Sequence, residues 1–351
     1  MTFLTIAVPT FNRADDLALL LESFKSELTV APDCEIEILV VSNASTDSTD
    51  ALVASYASSI PGLRYIKNDS NIGMQGNFIK CLKESAGRYS WLIGDDEFLE
   101  PGAIAKVVHV LKTYAGNALF IFNYSSEPHP PGQRFLTQVN NQNLVSCQQK
   151  VIDFVNEKGW LWALGNMGMV IVETAKLLPV DPAPHMKSPF VQAGWYLEAL
   201  HNESLVFIDE VIFRTRIKSQ TVNKDRWATD GTMAGFYYIS DSLDRFVELN
   251  ITPREVPVMF LNACSSNILP IWNFFLKPVI QRLQAGNFNV DNREWEIMLS
   301  LIARVADPVL RDAMAGYLNL LRRSVTATFA NYENSLFIIN RFQGHLFYSM
   351  V

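Results

Sequence analysis

The residues of this chain best placed to do chemistry lie in one stretch, Trp91-Leu92-Ile93-Gly94-Asp95-Asp96-Glu97-Phe98-Leu99-Glu100-Pro101. The apolar run Tyr89 to Ile93 predicts a buried strand, and it ends in three consecutive acids. A strand that delivers carboxylates at its C-terminal end is how an open α/β sheet presents ligands to a crevice. Adjacent carboxylates repel one another unless a cation sits among them. Hard divalent ions such as Mg2+ bind through carboxylates together with substrate phosphate oxygens. The alternative is a solvated acidic turn ahead of a helix that Pro101-Gly102 opens at Ala103.

The elements that must position these acids precede them. Phe3 to Val8 is a short β-rich run that ends at Pro9-Thr10-Phe11-Asn12-Arg13. Leu17, Leu20, Leu21, Phe24 and Leu28 fall at helical spacing within Asp15 to Leu28. Glu35 to Val41 predicts a second strand, broken by Ser42-Asn43-Ala44-Ser45-Thr46-Asp47. There Asp47 or Ser48 can cap a helix from Thr49 to Ser58. Leu63 to Lys67 is a third strand, followed by a loop from Asn68 to Gly73 and a helix from Asn77 to Ser85. Alternating strands and helices predict a parallel sheet with crossover helices, its strand ends lining one crevice.

Composition narrows the classes. A chain of 351 residues that is 49% hydrophobic and 19% charged can bury a real core and has room for two domains. A net charge of −7 gives no reason to expect nucleic acid as a partner. From Ile251 onward there are 9 Lys and Arg against 7 Asp and Glu, a net +2, and the 20 and 29 before it give −9. Cys34, Cys81, Cys147 and Cys264 are scattered, with no CxxC pair. That predicts reduced thiols and a cytoplasmic location, not a disulfide framework or zinc site. The N-terminus lacks the basic segment of a signal peptide, and no run of 18 apolar residues predicts a spanning helix.

Taken in order, Pro9 to Arg13, Ser42 to Asp47, Asn71-Ile72-Gly73, Gly87-Arg88-Tyr89 and Gly94-Asp95-Asp96-Glu97 with Pro101 resemble a family 2 glycosyltransferase of the GT-A fold. The likeness covers roughly the first 110 residues; each motif is weak alone, but five in order are specific. The GDDE form with Asn71, Gly73 and Asn77 is similar to the branch that transfers dideoxyhexoses in O-antigen assembly, such as abequosyltransferases.

The resemblance implies a mixed, mainly parallel α/β sheet with flanking helices over residues 1–230, nucleotide-binding in 1–123 and acceptor-binding in 124–230. An all-α appendage is expected over 231–351. It implies that Pro9, Thr10 and Phe11 shape a pocket for a pyrimidine base, with Phe11 against the ring. Arg13 is expected at a phosphate, or as a surface residue at a helix start. Ser42-Asn43 departs from the family, which usually has acids there. Asn43 can still read a base through its amide, or the turn can merely cap a helix. Asn71 is placed in the same pocket. Asp95 is implied at the ribose and Asp96 at Mn2+ or Mg2+, with Glu97 holding the metal through water or pointing away.

Later segments are less specific. Ala103 to Tyr114 predicts an amphipathic helix, Ala118 to Asn123 a strand, Ser125 to Asn143 a loop and Gln148 to Lys158 a helix. Trp160 and Trp162, beside Gly165 and Asn166, suit either a sugar-binding wall or core packing. An inverting transfer needs a proton acceptor. The family's acid falls near Phe190-Val191, where this chain has none, so His185 and Glu198 are equal candidates. Leu205 to Ile208 and Val211 to Lys218 predict strands, the second with Arg214, Arg216 and Lys218 on one face. Beyond Thr232 only helices are expected, and the segment from Ile251 carries Arg304, Arg311, Arg322 and Arg323 near leucines that could rest on an anionic membrane.

The expected activity is a metal-dependent inverting transfer of a sugar from a nucleoside diphosphate sugar to a hydroxyl of a glycan or lipid-linked glycan. The setting would be cytoplasmic, possible at the inner membrane face, and a homo-oligomer is compatible. A nucleotidyltransferase would want a Gly-rich basic loop after the first strand, which Pro9 to Arg13 is not. A non-catalytic nucleotide-sugar-binding relative stays open because of Ser42 and the missing base.

Overall fold

The computed structural model describes residues 2–29, 34–126, 145–215, 241–256 and 292–326. The strands β1 (Leu4–Thr10), β2 (Ile36–Ser42), β3 (Leu63–Lys67) and β4 (Tyr89–Leu92) lie in the order β3-β2-β1-β4, all parallel. Every residue of β1, β2 and β4 is buried, because helices cover both faces, and that is why these strands read as unbroken apolar runs. Thr10 pairs with Ser42, and Ser42 with Lys67, so three strands end level with one another. Pro9 is tolerated inside β1. Residues two apart in a strand point the same way, and the Ala7 carbonyl already accepts from Ile93 N where β4 ends.

Beyond β4 the sheet becomes mixed. β8 (Val170–Glu173) runs antiparallel to β4 and to β6 (Leu119–Ser126). β9 (Ser204–Thr215) is parallel to β6 and antiparallel to β5 (Glu97–Leu99) and β7 (Cys147–Lys150). The two strands expected at 205–208 and 211–218 are thus one, with a register break: Ile208 pairs with Phe122 but Val211 with Asn123, leaving Asp209-Glu210 as a bulge. Asn123 Nδ2 donates to Asp209 Oδ1 at 2.7 Å across it.

The helices α1 (Ala14–Leu28), α2 (Thr49–Tyr56), α3 (Gly73–Glu84) and α4 (Ala103–Thr113) connect the strands. α1 buries Ala14, Leu17, Leu20, Leu21 and Phe24, the stripe its spacing predicts; each fully buried large side chain contributes about 1.5–3 kcal/mol. Asp47 holds two of these helices at once. Its Oδ2 accepts from Ala14 N at 3.0 Å, and its Oδ1 accepts from Thr49 N at 3.1 Å and Thr49 Oγ1 at 2.5 Å. α3 begins at Gly73, four residues before the expected Asn77, with Gly73 at φ 81° turning the chain into it. Gln148 to Lys150, expected as helix, form most of β7, and the helix α5 spans Val151–Lys158. Two strands, Glu97–Leu99 and Val170–Glu173, were not expected, and Ser125-Ser126 belong to β6 rather than to a loop.

Past 240 the described residues form a helix at 241–248 and the helices Asn292–Ile302 and Pro308–Thr326, with one isolated bridge between Val256 and Val305. Phe246 is buried against Trp160, ring centroids 5.4 Å apart, so this part shares core with the sheet-bearing part. Of the expected basic face, Arg304 pairs with Asp244, and Arg311 with Glu255 at 3.1 Å. The expected 230/231 boundary, most of the loop 125–143, Arg216, Lys218 and the helices expected within 257–291 lie outside the described residues. Among the described residues no helix is long and apolar enough to cross a membrane.

Candidate functional site

The site forms where β1, β2 and β4 end. Thr10, the last residue of β1, is 3% exposed and its Oγ1 donates to Asp95 Oδ2 at 2.8 Å. Asp95 follows β4 and is equally buried. Burial pushes its carboxyl up to about 7; the Asp96 charge adds to that, while Arg13 and the Thr10 hydroxyl oppose it. Arg13 at the start of α1 reaches both acids, Nη1 to Asp95 Oδ1 at 2.7 Å and Nη2 to Asp96 Oδ2 at 2.8 Å. Its Nε and Nη2 also donate to Asp16 Oδ2, each at 3.1 Å. Arg13 thus places one cation among the acids, paired with Asp16, Asp95 and Asp96 rather than standing as a lone surface residue. Phe11, beside it, is partly exposed at the mouth of the crevice.

Gly94 lets the acidic turn close. A Cβ there would lie 2.9 Å from Asp96 Oδ1 and 3.4 Å from Glu97 Cγ. Glu97 opens β5, paired with Thr215 of β9, so the third acid is fixed by a strand rather than by a solvated turn.

Ser42 and Asn43 sit at the end of β2 but face inward. Ser42 is fully buried, and its Oγ accepts from Ser45 N at 3.2 Å. Asn43 is 3% exposed, and its amide is fully engaged. Nδ2 donates to Asn71 Oδ1 at 2.8 Å and to the Gly73 carbonyl at 3.1 Å. Oδ1 accepts from Asn68 Nδ2 at 3.0 Å and from Ile72 N at 2.9 Å. Asn68 Nδ2 also donates to Asn77 Oδ1 at 3.0 Å, and Asn77 Nδ2 to the Val41 carbonyl at 3.0 Å. All four hydrogen-bonding positions of the Asn43 amide tie β2 to the loop ahead of α3. Asn71 belongs to the same network, its Oδ1 also accepting from Gly73 N at 2.9 Å. Asn68 was not singled out from sequence; the only signal was a run of asparagines at 68, 71 and 77.

The two expected proton acceptors do meet, though as a buried pair. His185 is 1% exposed, and its Nε2 lies 2.8 Å from Glu198 Oε2 on the helix α6 (Val191–Leu200). Arg245, from the helix at 241–248, grips the same carboxylate: Nη2 to Oε1 at 2.9 Å and Nε to Oε2 at 3.2 Å. Burial holds the His185 pKa below its usual 6.5 against the pull of Glu198, so the neutral ring donates Nε2–H to Glu198. A base must be reachable by the acceptor hydroxyl. Both oxygens of Glu198 are engaged and His185 is enclosed, a geometry that ties α6 to the helix at 241–248. Trp160, offered as a sugar-binding wall, is wholly buried against Phe246, which makes it core. Arg214 stacks over Phe98, its guanidinium carbon 5.7 Å from the ring centroid.

Two adjacent carboxylates with hard oxygens, one of them 27% exposed, fit Mg2+ or Mn2+, which commonly take one or two protein carboxylates and complete their shell with phosphate and water. Asp96 and Asp95 would hold such an ion.

Comparison with known proteins follows the same residues. Residues 5–157 match the family model described as glycosyl transferase family 2. Abequosyltransferase RfbV of Salmonella typhimurium is 28% identical over 120 residues, 34% of this chain and 34% of that protein. The chain spans about a third of the length of the curated relatives it matches. Residues 1–349 of TarS from S. aureus, solved with UDP-GlcNAc, superpose with a TM-score of 0.63 at 15% identity, covering 95% of this chain and 92% of that one. The mannosyltransferase PcManGT from Pyrobaculum calidifontis, solved with GDP-Man and Mn2+, gives 0.52 at 14% identity, covering 90% and 84%. At these identities the two structures speak for the fold alone: a GT-A arrangement with a large sheet and flanking helices.

Proposed function

With a glycosyl transferase family 2 domain over residues 5–157 as the premise, we propose that this chain moves a sugar from a nucleoside diphosphate sugar to a hydroxyl of a glycan acceptor, with inversion and with a divalent metal. The observation that carries this reading is the Thr10–Asp95–Asp96–Arg13 cluster where β1 and β4 end, inside the stretch that matches the family model. The nucleotide sugars in the TarS and PcManGT structures support a donor of that class. Likeness to an abequosyltransferase supports a role in cell-surface polysaccharide assembly, with a glycan or lipid-linked acceptor.

In this reading Thr10 and the burial of Asp95 fix one carboxylate at the floor of the crevice, where it accepts from the donor's ribose hydroxyls. Phe11 lies against the base, giving flat contact at little cost in conformational freedom. Asp96, more open, faces the diphosphate. A bound metal supplies charge that stabilises the departing nucleoside diphosphate. A non-catalytic nucleotide-sugar-binding relative is the second reading, favoured by the enclosure of His185 and Glu198.

The test is a panel of uridine, thymidine, cytidine and guanosine diphosphate sugars, scored by thermal shift with and without Mn2+ and then by release of free sugar without acceptor. A metal-dependent shift and slow donor hydrolysis with one base are expected. A shift with no turnover, even with glycan acceptors, favours the binding-only reading. No shift with any donor overturns both.

A further inference from the structure

Arg13 does more in this site than complete a helix start. Its guanidinium spans three carboxylates, those of Asp16, Asp95 and Asp96. Asp95 Oδ1 meets its Nη1 at 2.7 Å and Asp96 Oδ2 its Nη2 at 2.8 Å, so one guanidinium bridges the two neighbouring acids. A planar fork with fixed donors suits such bridging in a way an ammonium does not. The oxygens that Arg13 bridges are those best placed to share a divalent cation. Two cations drawn to the same pair of oxygens repel at short range.

We propose that Arg13 is an internal counter-cation that competes with a divalent metal for the Asp95–Asp96 oxygens, and that the displaced guanidinium stays at the crevice on Asp16, facing the donor diphosphate. The last part rests on the donor reading above. Asp16 makes the exchange local, since Nε and Nη2 already bond it and the fork can leave Asp95 and Asp96 without leaving the protein surface. The arrangement keeps two neighbouring carboxylates balanced between turnovers. It makes metal entry weak in the bare protein and strong once a diphosphate can receive the guanidinium.

The test measures Mn2+ binding to the whole chain without nucleotide, by titration calorimetry and by the paramagnetic signal of unbound Mn2+. Arg13→Gln is expected to bind Mn2+ about tenfold more tightly than the native chain, and Arg13→Lys to fall between them. The gain should persist near 1 M NaCl, where the field of a single distant charge is screened within about 3 Å. Adding Asp96→Ala should abolish Mn2+ binding in the Arg13→Gln background. With Mn2+ saturating, Arg13→Gln should bind UDP more weakly than the native chain. Equal or weaker Mn2+ binding by Arg13→Gln, a gain that vanishes in salt, or no Mn2+ binding by any variant overturns the proposal. Melting curves check folding, and the milder Arg13→Lys keeps the comparison available if Arg13→Gln unfolds. Failure of sugar transfer alongside intact Mn2+ competition would sink the transfer reading alone.

Discussion

At the scale of the residue, chemistry and scaffolding separate by burial and by how many partners each group has. Thr10, Arg13, Asp95 and Asp96 form one polar cluster at the crevice, whereas Asn43 spends its whole amide on the protein. This changes what an acid at position 43 would do. In Asn43→Asp an anionic oxygen would replace Nδ2 and face Asn71 Oδ1 and the Gly73 carbonyl, two acceptors with nothing to donate. Loss of two hydrogen bonds with burial of the mismatch should cost about 2–3 kcal/mol. Chemical denaturation would read that loss, while affinity for free UDP or TDP should move little. A stable Asn43→Asp protein with much altered diphosphate affinity would show that the side chain does reach a base. The acids and Thr10 were legible because types and spacing name them. The partners of Asn43 were not, because they sit 25 to 30 residues away and depend on how α3 packs.

At the scale of the element, strands buried on both faces declared themselves as apolar runs, and α1 and α4 by their stripes. Several short strands did not. Glu97–Leu99 is acidic at one end and becomes a strand only because β9 offers an edge, and Cys147–Lys150 has no apolar alternation to announce it. Pairing between distant segments decides such cases, and it leaves no local mark. The link between two helices at Asp47 was half legible, since its cap on α2 was expected and its bond to α1 was not. Asp47→Ala should cost about 1–2 kcal/mol, because it uncaps both helices. Burial tends to raise the Asp47 pKa, but the Thr49 hydroxyl and the amides of Ala14 and Thr49 outweigh it and lower the value below 3.8. A depressed carboxyl pKa means this contribution is present above the unfolded value and is lost as pH falls through the folded one. The stability gap between the native chain and Asp47→Ala should therefore narrow below about pH 4. A gap that is constant from pH 7 to pH 3 would contradict the double cap.

At the scale of the whole molecule, His185, Glu198 and Arg245 join the sheet-bearing part to the C-terminal helices. Removing Arg245 leaves the Glu198 carboxylate buried without its cation. Arg245→Met should cost about 3 kcal/mol, the low end for a broken buried pair because Arg245 is a third exposed. His185 adds a pH dependence whose sign is fixed by its depressed pKa. Below 6.5 the unfolded chain takes up a proton that the folded chain resists, so stability falls as pH drops from 6.5 towards the folded value. Thermal melts between pH 7.5 and pH 5 should show that slope, and His185→Gln should flatten it. A slope unchanged by His185→Gln would mean another group governs it. None of this was readable from the chain alone, since Arg245 lies 47 residues from Glu198 in a segment with no motif.

The central claim is that the strand-end acids hold a nucleoside diphosphate sugar through a metal. Its most direct measurement is nucleoside diphosphate release from the donor panel, comparing the native chain with Asp96→Ala at matched melting temperature. The account predicts release with at least one donor by the native chain, abolished by chelator, and a loss of about a hundredfold or more in Asp96→Ala. Undiminished release by Asp96→Ala, or by the native chain in excess chelator, would contradict it.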